Sequence, residues 1–319
     1  MIRKIFSSYF KWDKIEIDQS LLEKFRERLF TFAIKNSDKI DLEDLCYRLL
    51  PPEKYHQQLS KYSFPDDNIV VKDWMLRRWL ITYNYDLEKA LNKCIELFEF
   101  RSLYRIKSLR NPINVLPQEF YTASPFWQGS LDREGNRIVI VRVNLYKKIP
   151  KFDELIKIAA LHLMETLDLE YERKPFQGLK FLIDMRNFNF FANYDFGCFK
   201  FLFTSVSYYP GIFEHVLIYE LPWAFKFVVT MTKKWLFYLF GTNKNFLILI
   251  NHELLIEIID PEELPKFIES GKKDFSISYP EGSKPLIDLA KNNEFYHMSD
   301  ESIEAIYELL EQSLVVSHL

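Results

Sequence analysis

Glycine is scarce in this chain of 319 residues: there are eight, and none stands in a Gly-x-Gly or Gly-x-x-x-x-Gly-Lys arrangement. Both the dinucleotide fingerprint and the P-loop need glycine so that backbone can approach phosphate, so nucleotide binding by those routes is excluded. A Gly-x-Ser-x-Gly elbow is missing too, and with it the strained serine of the α/β-hydrolases. Cysteine is limited to Cys46, Cys94 and Cys198, without a Cys-x-x-Cys pair or a histidine at metal-ligand spacing. Buried, reduced thiols are expected, with no zinc site and no disulfide framework. Positive charge is not in surplus: 42 Lys and Arg face 45 Asp and Glu, for a net charge of -3. A nucleic-acid partner is therefore not expected. Met1 to Phe10 carries Arg3 and Lys4 and no apolar core follows it, so secretion is not indicated. No run of about 20 apolar residues is free of charge. The nearest candidate is Phe225 to Phe240, and its lysines and length count against it. The expected location is cytoplasmic.

What the chain does have is aromatic residues, 17% in all with 29 Phe. That suits a protein lining a hydrophobic cavity, although codon bias toward Phe, Ile, Asn and Lys would also produce it. Pro222-Trp223 separates the apolar run Val216 to Leu221 from WAFKFVVTMTKKWLFYLF, which is apolar on nearly every side yet holds Lys226, Lys233 and Lys234. A helix apolar all round belongs in a membrane or a large core, and three lysines fit neither place well. A helix that closes over a lipid would want this mixture. The alternative is an ordinary core helix whose lysines reach out to water.

Periodicity places helices first and a strand-helix alternation afterwards. Asp18 is a candidate N-cap for apolar positions Leu21, Leu22, Phe25, Leu29 and Phe32, and a short helix over Leu42 to Leu50 ends at Pro51-Pro52. From Asp66 onward Trp74, Met75, Trp79 and Leu80, then Leu87 to Leu103, read as a helical hairpin with Asp86 as the second cap. Strands follow at Arg137 to Asn144, Leu179 to Asp184, Glu214 to Glu220 and Asn245 to Ile250. Helices are expected between them at Lys151 to Arg173, Asp195 to Tyr209 and Trp223 to Phe240, with a last one from Ser299 to about Val315. This order implies an α/β fold with a mainly parallel sheet and crossover helices behind an all-helical N-terminal module. The expected divisions are a helical extension over 1–65, a helical module over 66–110, an α/β domain over 115–280 and a polar tail with one helix over 281–319. His162, His215, His252 and His297 are isolated, and no acid, base and nucleophile set can be assembled. Neither enzyme activity nor a cofactor is expected. Asp184, at the carboxyl edge of the sheet, is read as a cap for the loop after it rather than as a functional group.

Taken in order, these residues resemble the CRAL-TRIO lipid-binding family. Asp73-Trp-Met-Leu-Arg77-Arg-Trp-Leu and Tyr85-Asp86-Leu-Glu-Lys-Ala90 are similar to its N-terminal helical module. Asp132-x-x-Gly135-x-Arg137, Phe181-Leu-Ile-Asp184, Tyr208-Tyr209-Pro210, Leu221-Pro222-Trp223 and Leu264-Pro265 continue the series over about 200 residues. Glu134-Gly-Asn-Arg-Ile, Val141-Arg142-Val143 and Lys233-Lys234-Trp235-Leu236 look most similar to the subset in motile-sperm-domain-containing proteins.

The resemblance implies a sheet floor and a helical gate around one hydrophobic ligand. It assigns the pocket to Ile138, Ile140, Phe181, Ile183, Phe201, Leu217 and Tyr219, and the gate to Trp223, Phe225, Phe227, Val228, Met231 and Trp235. Lys233 aligns with a head-group lysine, while Gly211 stands where phosphatidylinositol-binding members have a glutamate. The implied partners are a phospholipid, sterol, tocopherol or retinoid and, transiently, a membrane surface. Such a protein meets a physical need, because exposing two acyl chains to water costs on the order of 20 kcal/mol. A ligand-free scaffold that binds another protein is the alternative reading, and it would have a solid core in place of a cavity.

Overall fold

The computed structural model describes residues 16–49, 74–111, 113, 115–173, 178–225, 229, 247–273, 279–291 and 296–316. The chain divides into two compact units, one ending at Ser108 and the other starting at Leu109.

The first unit is helical: α1 (Gln19–Lys35), α2 (Leu42–Leu49), α3 (Trp74–Thr82) and α4 (Leu87–Leu103). Both expected caps form. Asp18 accepts from the Ser20 amide and Asp86 from the Lys89 amide, each meeting a donor that the first helical turn leaves open. Leu22, Phe25, Leu29 and Phe30 of α1 are buried, as are Trp79 and Leu80 of α3 and Cys94 and Phe98 of α4. Inside this unit Arg101 grips Asp44 at two points, Nε to Oδ2 at 2.6 Å and Nη2 to Oδ1 at 3.0 Å.

The second unit is built on a five-stranded sheet in the order β1 (Phe126–Leu131), β2 (Arg137–Arg142), β3 (Leu179–Asp184), β4 (Phe213–Tyr219) and β5 (Leu247–Ile250). β1 runs antiparallel to β2, and every later pair is parallel. Around the sheet lie α5 (Gln118–Ala123), α6 (Phe152–Arg173), α7 (Phe190–Asn193), α8 (Phe196–Ser207), α9 (His252–Ile258), α10 (Leu286–Ala290) and α11 (Asp300–Val316).

Alternation along the strands divides the apolar residues between two faces. Ile138, Ile140, Leu182, Leu217 and Tyr219 pack with Leu255, Ile259, Leu264 and Ile268 on one side. Val139 and Leu179 pack with Leu163, Met164 and Leu167 of α6 on the other, where Val216 and Leu247 also lie.

Phe126–Leu131 forms an edge strand and His252–Ile258 a helix, neither of which the periodicity suggested. The strand read as Arg137 to Asn144 stops at Arg142 and turns into a 3-10 helix over Val143–Leu145. Of the helix expected over Trp223 to Phe240, Trp223–Phe225 is a 3-10 turn, and the remainder lies outside the described residues except for Val229. Among the described residues no helix is long and apolar enough to cross a membrane.

Where β2, β3 and β4 begin, the sheet holds a buried charge cluster. The turn between β1 and β2 is closed by the Gly135 amide on the Asp132 carbonyl, with Gly135 at a φ of 86°, the left-handed region that glycine tolerates. Asp132 thereby faces the Lys180 ammonium at 2.6 Å, and Lys180 also approaches Glu134 at 3.3 Å and Glu214 at 3.6 Å. Burial, and then the Lys180 charge, hold the neighbouring His215 down at about 4, while burial pushes the Glu214 carboxyl up.

The sign for His215 follows from linkage. Unfolded, the imidazole takes a proton as pH falls through about 6.5, while the folded chain keeps it neutral down to about 4. The stability it contributes is whole above pH 6.5, drains away between 6.5 and 4 at no more than about 1.4 kcal/mol per pH unit, and is gone below that. Glu214 acts in the opposite sense, since its raised pKa lets the folded state take up a proton first. Denaturation midpoints measured from pH 7 to 4 are expected to fall less steeply in His215→Gln than in the parent; parallel curves would remove His215 as the source.

Candidate ligand-binding cavity

At the carboxyl ends of the parallel strands, on the face shared with α6 and α8, the sheet bounds a cavity of about 180 Å³. Its floor is Val141, Ile183, Val216 and Ile218, one outward-alternating position after another from β2, β3 and β4. Its far wall is Phe199, Leu202 and Phe203 of α8, and its rim is Phe188, Phe190, Tyr194 and Phe225. The rim is held ring on ring. Phe190 stacks on Tyr194 at 4.8 Å and on Phe225 at 5.7 Å, and Phe188 meets Phe225 edge-on at 5.3 Å. Such geometry suits aromatic quadrupoles and keeps the opening apolar. A smaller space of about 70 Å³ continues inward past Ile183 and Leu202 to Phe181 and Met164.

The polar groups at the rim are largely occupied with each other. Asp195 caps α8 by accepting from the Cys198 amide at 2.8 Å, and its negative charge lies close enough to the Tyr146 phenol to add to the effect of burial on it. Asn193 donates to the Tyr146 carbonyl and accepts from the Asn189 amide, which pins α7 against the loop after β2. Burial pushes the Tyr146 phenol above its ordinary range and the Cys198 thiol up to about 12. The site therefore presents a neutral phenol and a neutral thiol at pH 7, and its two charged residues are both engaged, Asp195 with the first turn of α8 and Arg142 with the Ala123 carbonyl at 2.7 Å and the face of the Phe267 ring. A lining so poor in free charge favours an apolar guest, since a buried ion without a partner is costly. Among the described residues no group of His, Cys, Asp or Glu could hold a metal ion.

The residues assigned to the pocket from sequence are split by the sheet. Ile183 lines both spaces and Phe181 the smaller one. Ile138, Ile140, Leu217 and Tyr219 point to the opposite face, into the core with Leu255 and Ile259. Phe201 lies near the Lys157 ammonium, 5.8 Å from its ring centre. Of the gate residues, Phe225 stands in the rim and Trp223 is exposed beside it. Phe227, Val228, Met231, Lys233 and Trp235 lie outside the described residues. Asp184 is held by Arg186, Nε to Oδ1 at 2.9 Å and Nη2 to Oδ2 at 2.8 Å, and the same guanidinium donates to the Phe267 carbonyl. It also accepts from the Arg186 amide, so it does organise the loop that follows. Gly211 has a φ of 77°, a backbone state in which a glutamate would be strained. Phe188, Phe190, Tyr194, Phe199 and Phe203 were not singled out from sequence; the signal available was their density in the run Phe188 to Phe203.

The fold is shared with a solved structure. The crystal structure of Sfh5 superposes with a TM-score of 0.50 and 14% sequence identity, covering 93% of this chain and 100% of that one. A CRAL-TRIO domain-containing protein of Schizosaccharomyces pombe is 24% identical over 164 residues, 51% of this chain and 36% of the relative. The chain thus spans about a third of the length of that curated relative. Residues 122–269, which run from the end of α5 through the whole sheet to the stretch after α9, match the family model of the CRAL/TRIO domain.

Proposed function

We propose that this chain holds one hydrophobic lipid in the cavity between α8 and the sheet and exchanges it with membranes, without covalent chemistry. The observation that carries the reading is the cavity itself, an aliphatic floor under an aromatic rim at the carboxyl edge of a parallel sheet. The surface around the rim supports it. Phe191 is 84% exposed, Trp223 83% and Phe196 59%. Each adjoins a rim residue: Phe191 follows Phe190, Trp223 shares a turn with Phe225, and Phe196 begins α8 just past Tyr194. Exposed rings of this kind suit the boundary between head groups and acyl chains. Lys200, one turn after Phe196, and Lys147 and Lys148, after Tyr146, are exposed. They complement anionic head groups, with Asp153 and Asp195 as the acids nearest in sequence.

At about 180 Å³ the space falls below the roughly 300 Å³ at which drug-sized sites begin, so a whole lipid enters only when the wall opens. The segment after Pro222 takes the gate role in this reading, with Trp223 and Phe225 at its start and Phe227, Val228, Met231 and Trp235 further along. Lys233 is its head-group candidate. Phospholipid, sterol, tocopherol and retinoid classes all suit such a lining. The finer likeness to motile-sperm-domain-containing proteins, carried by Val141-Arg142-Val143 and Lys233-Lys234-Trp235-Leu236, belongs to the same proposal.

Mass spectrometry of organic extracts of the purified chain is expected to find bound lipid. Vesicles of phosphatidylcholine and phosphatidylserine are expected to pellet the parent several-fold better than a Phe191→Ala, Trp223→Ala double variant of unchanged thermal stability, each exposed ring being worth on the order of 1 kcal/mol at an interface. A chain that yields no lipid and exchanges none between vesicles would instead be a ligand-free scaffold.

A further inference from the structure

The smaller space of about 70 Å³ shares Phe126, Val141, Ile183, Leu202, Phe203 and Val216 with the main cavity. The residues that line it and not the main cavity are Ala160, Leu163 and Met164 of α6, Phe181 of β3, and Ser205 and Val206 of α8. On all three elements these lie further from the rim. The rim is at the carboxyl end of β3, and Phe181 precedes Ile183 by two residues, which sets it about 6–7 Å deeper. α8 starts beside the rim residue Tyr194, and Val206 lies one turn past Leu202, about 6 Å further in. On α6, Ile156 borders the main cavity and Met164 stands about two turns beyond it, roughly 12 Å along the axis.

This inner end offers a guest nothing polar. Ser205 donates its hydroxyl to the Leu202 carbonyl at 2.8 Å within α8, and the other lining side chains are hydrocarbon or thioether. A hydrated head group therefore stays at the rim, and a ligand enters tail first. The wall behind the lining is packed. Leu163 and Met164 are buried with Val139, Leu167 and Leu179, and Phe181 is stacked on Phe213 with ring centres 4.7 Å apart. A wall of that density does not yield freely to even one extra methylene.

We propose that the inner space sets the length of the hydrocarbon tail that the chain accepts, with Met164 as the stop and Ala160, the smallest side chain of the lining, leaving the room in front of it. Each methylene that leaves water for the cavity strengthens binding about fourfold. Once the tail end meets Met164, a further methylene gains nothing inside and displaces the head group outward at the rim. Met164 and Ala160 are thus specificity-determining residues for tail length. The assignment rests on the lipid-binding reading and adds a choice among tails to it.

The test uses the full chain stripped of bound lipid and loaded with the neutral fluorophore N-phenyl-1-naphthylamine, displaced by the saturated straight-chain alkanoates from octanoate to octadecanoate. In the parent, potency is expected to climb about fourfold per methylene and then to stop climbing at one length within the series. Met164→Ala is expected to move that optimum roughly two carbons longer, because the vacated volume is only partly refilled by its neighbours. Ala160→Leu is expected to move it about two carbons shorter by filling the space from α6. Met164→Leu conserves volume and is expected to keep the parent's optimum, which separates a length effect from a general loss of packing. The two shifting variants alter opposite sides of the same space, so either one that folds decides the matter. Potency that rises evenly through octadecanoate in the parent, or an optimum that stays put in the folded shifting variants, overturns the assignment of tail length while lipid binding stands. No displacement by any member of the series overturns both.

Discussion

Lys180→Met is expected to destabilise the sheet-containing unit by about 3–5 kcal/mol, the usual result of removing one partner from a buried ion cluster. Lys180 is completely buried, and its ammonium is shared among Asp132, Glu134 and Glu214. The methionine keeps the apolar stem, so the loss is electrostatic. Asp132 retains the amides of Glu134 and Asn136 and the Asn136 side chain, but its charge has no counter-ion left in the cluster. At about 2–4 °C per kcal/mol for a unit of this size, the unfolding midpoint should drop by roughly 10 °C. Two controls separate this from loose packing. Burial already raises the Glu214 carboxyl and the Lys180 charge holds it back, so without Lys180 it titrates higher still and the deficit should narrow as pH is lowered from 7 to 5, the folded state taking up a proton first. Adding Asp132→Asn should restore part of the loss, because the amide oxygen still accepts from the turn amides and the unpaired charge is gone. Equal midpoints for parent and Lys180→Met would mean that the cluster is solvated.

Ile183→Trp is expected to empty the site. Ile183 belongs to a central strand, paired to Val141 on one side and Ile218 on the other, yet it is only half-buried, because its side chain borders the cavity rather than a neighbour. An indole there would occupy the space in which a ligand sits. Lipid recovered from the purified chain should fall by about tenfold or more, which is at least 1.4 kcal/mol of binding. Stability should change by no more than about 1–3 kcal/mol, the range for enlarging a residue in a packed interior. Leu217→Met makes the contrast. Leu217 lies on the opposite face and the swap conserves volume, so loading should stay as in the parent. Undiminished lipid in Ile183→Trp would move the binding site elsewhere.

These two variants mark what could be read from the residues and what could not. Leu179 to Asp184 was legible as a strand to the residue, since a short apolar run between turn signals has few alternatives. Which way each side chain points was not. A parallel strand covered on both faces is apolar at odd and even positions alike, so Ile183 and Leu217 carry the same local signal although the sheet places them on opposite sides. The caps Asp18 and Asp86 were visible because capping depends on residues within one turn. Phe126–Leu131 was hidden by its irregular pairing and by Gly129, over which the Trp127 ring lies so closely that a Cβ would stand 2.6 Å from it. The helix at His252 was overlooked although Asn251 caps it in the ordinary way, its seven residues being too few for a clear period. Contacts such as Arg186 with the Phe267 carbonyl, 81 residues apart, have no local signature at all.

The three thiols carry a practical consequence. Cys46, Cys94 and Cys198 are all buried and unpaired by disulfides, and burial raises all three, Cys46 and Cys198 to about 12. Since thiolate is the form that attacks maleimides, the native chain should be almost inert to them at neutral pH. A reporter cysteine installed at Trp223 would then take up dye alone, giving a spectroscopic view of the rim without first stripping the protein of its own sulfur.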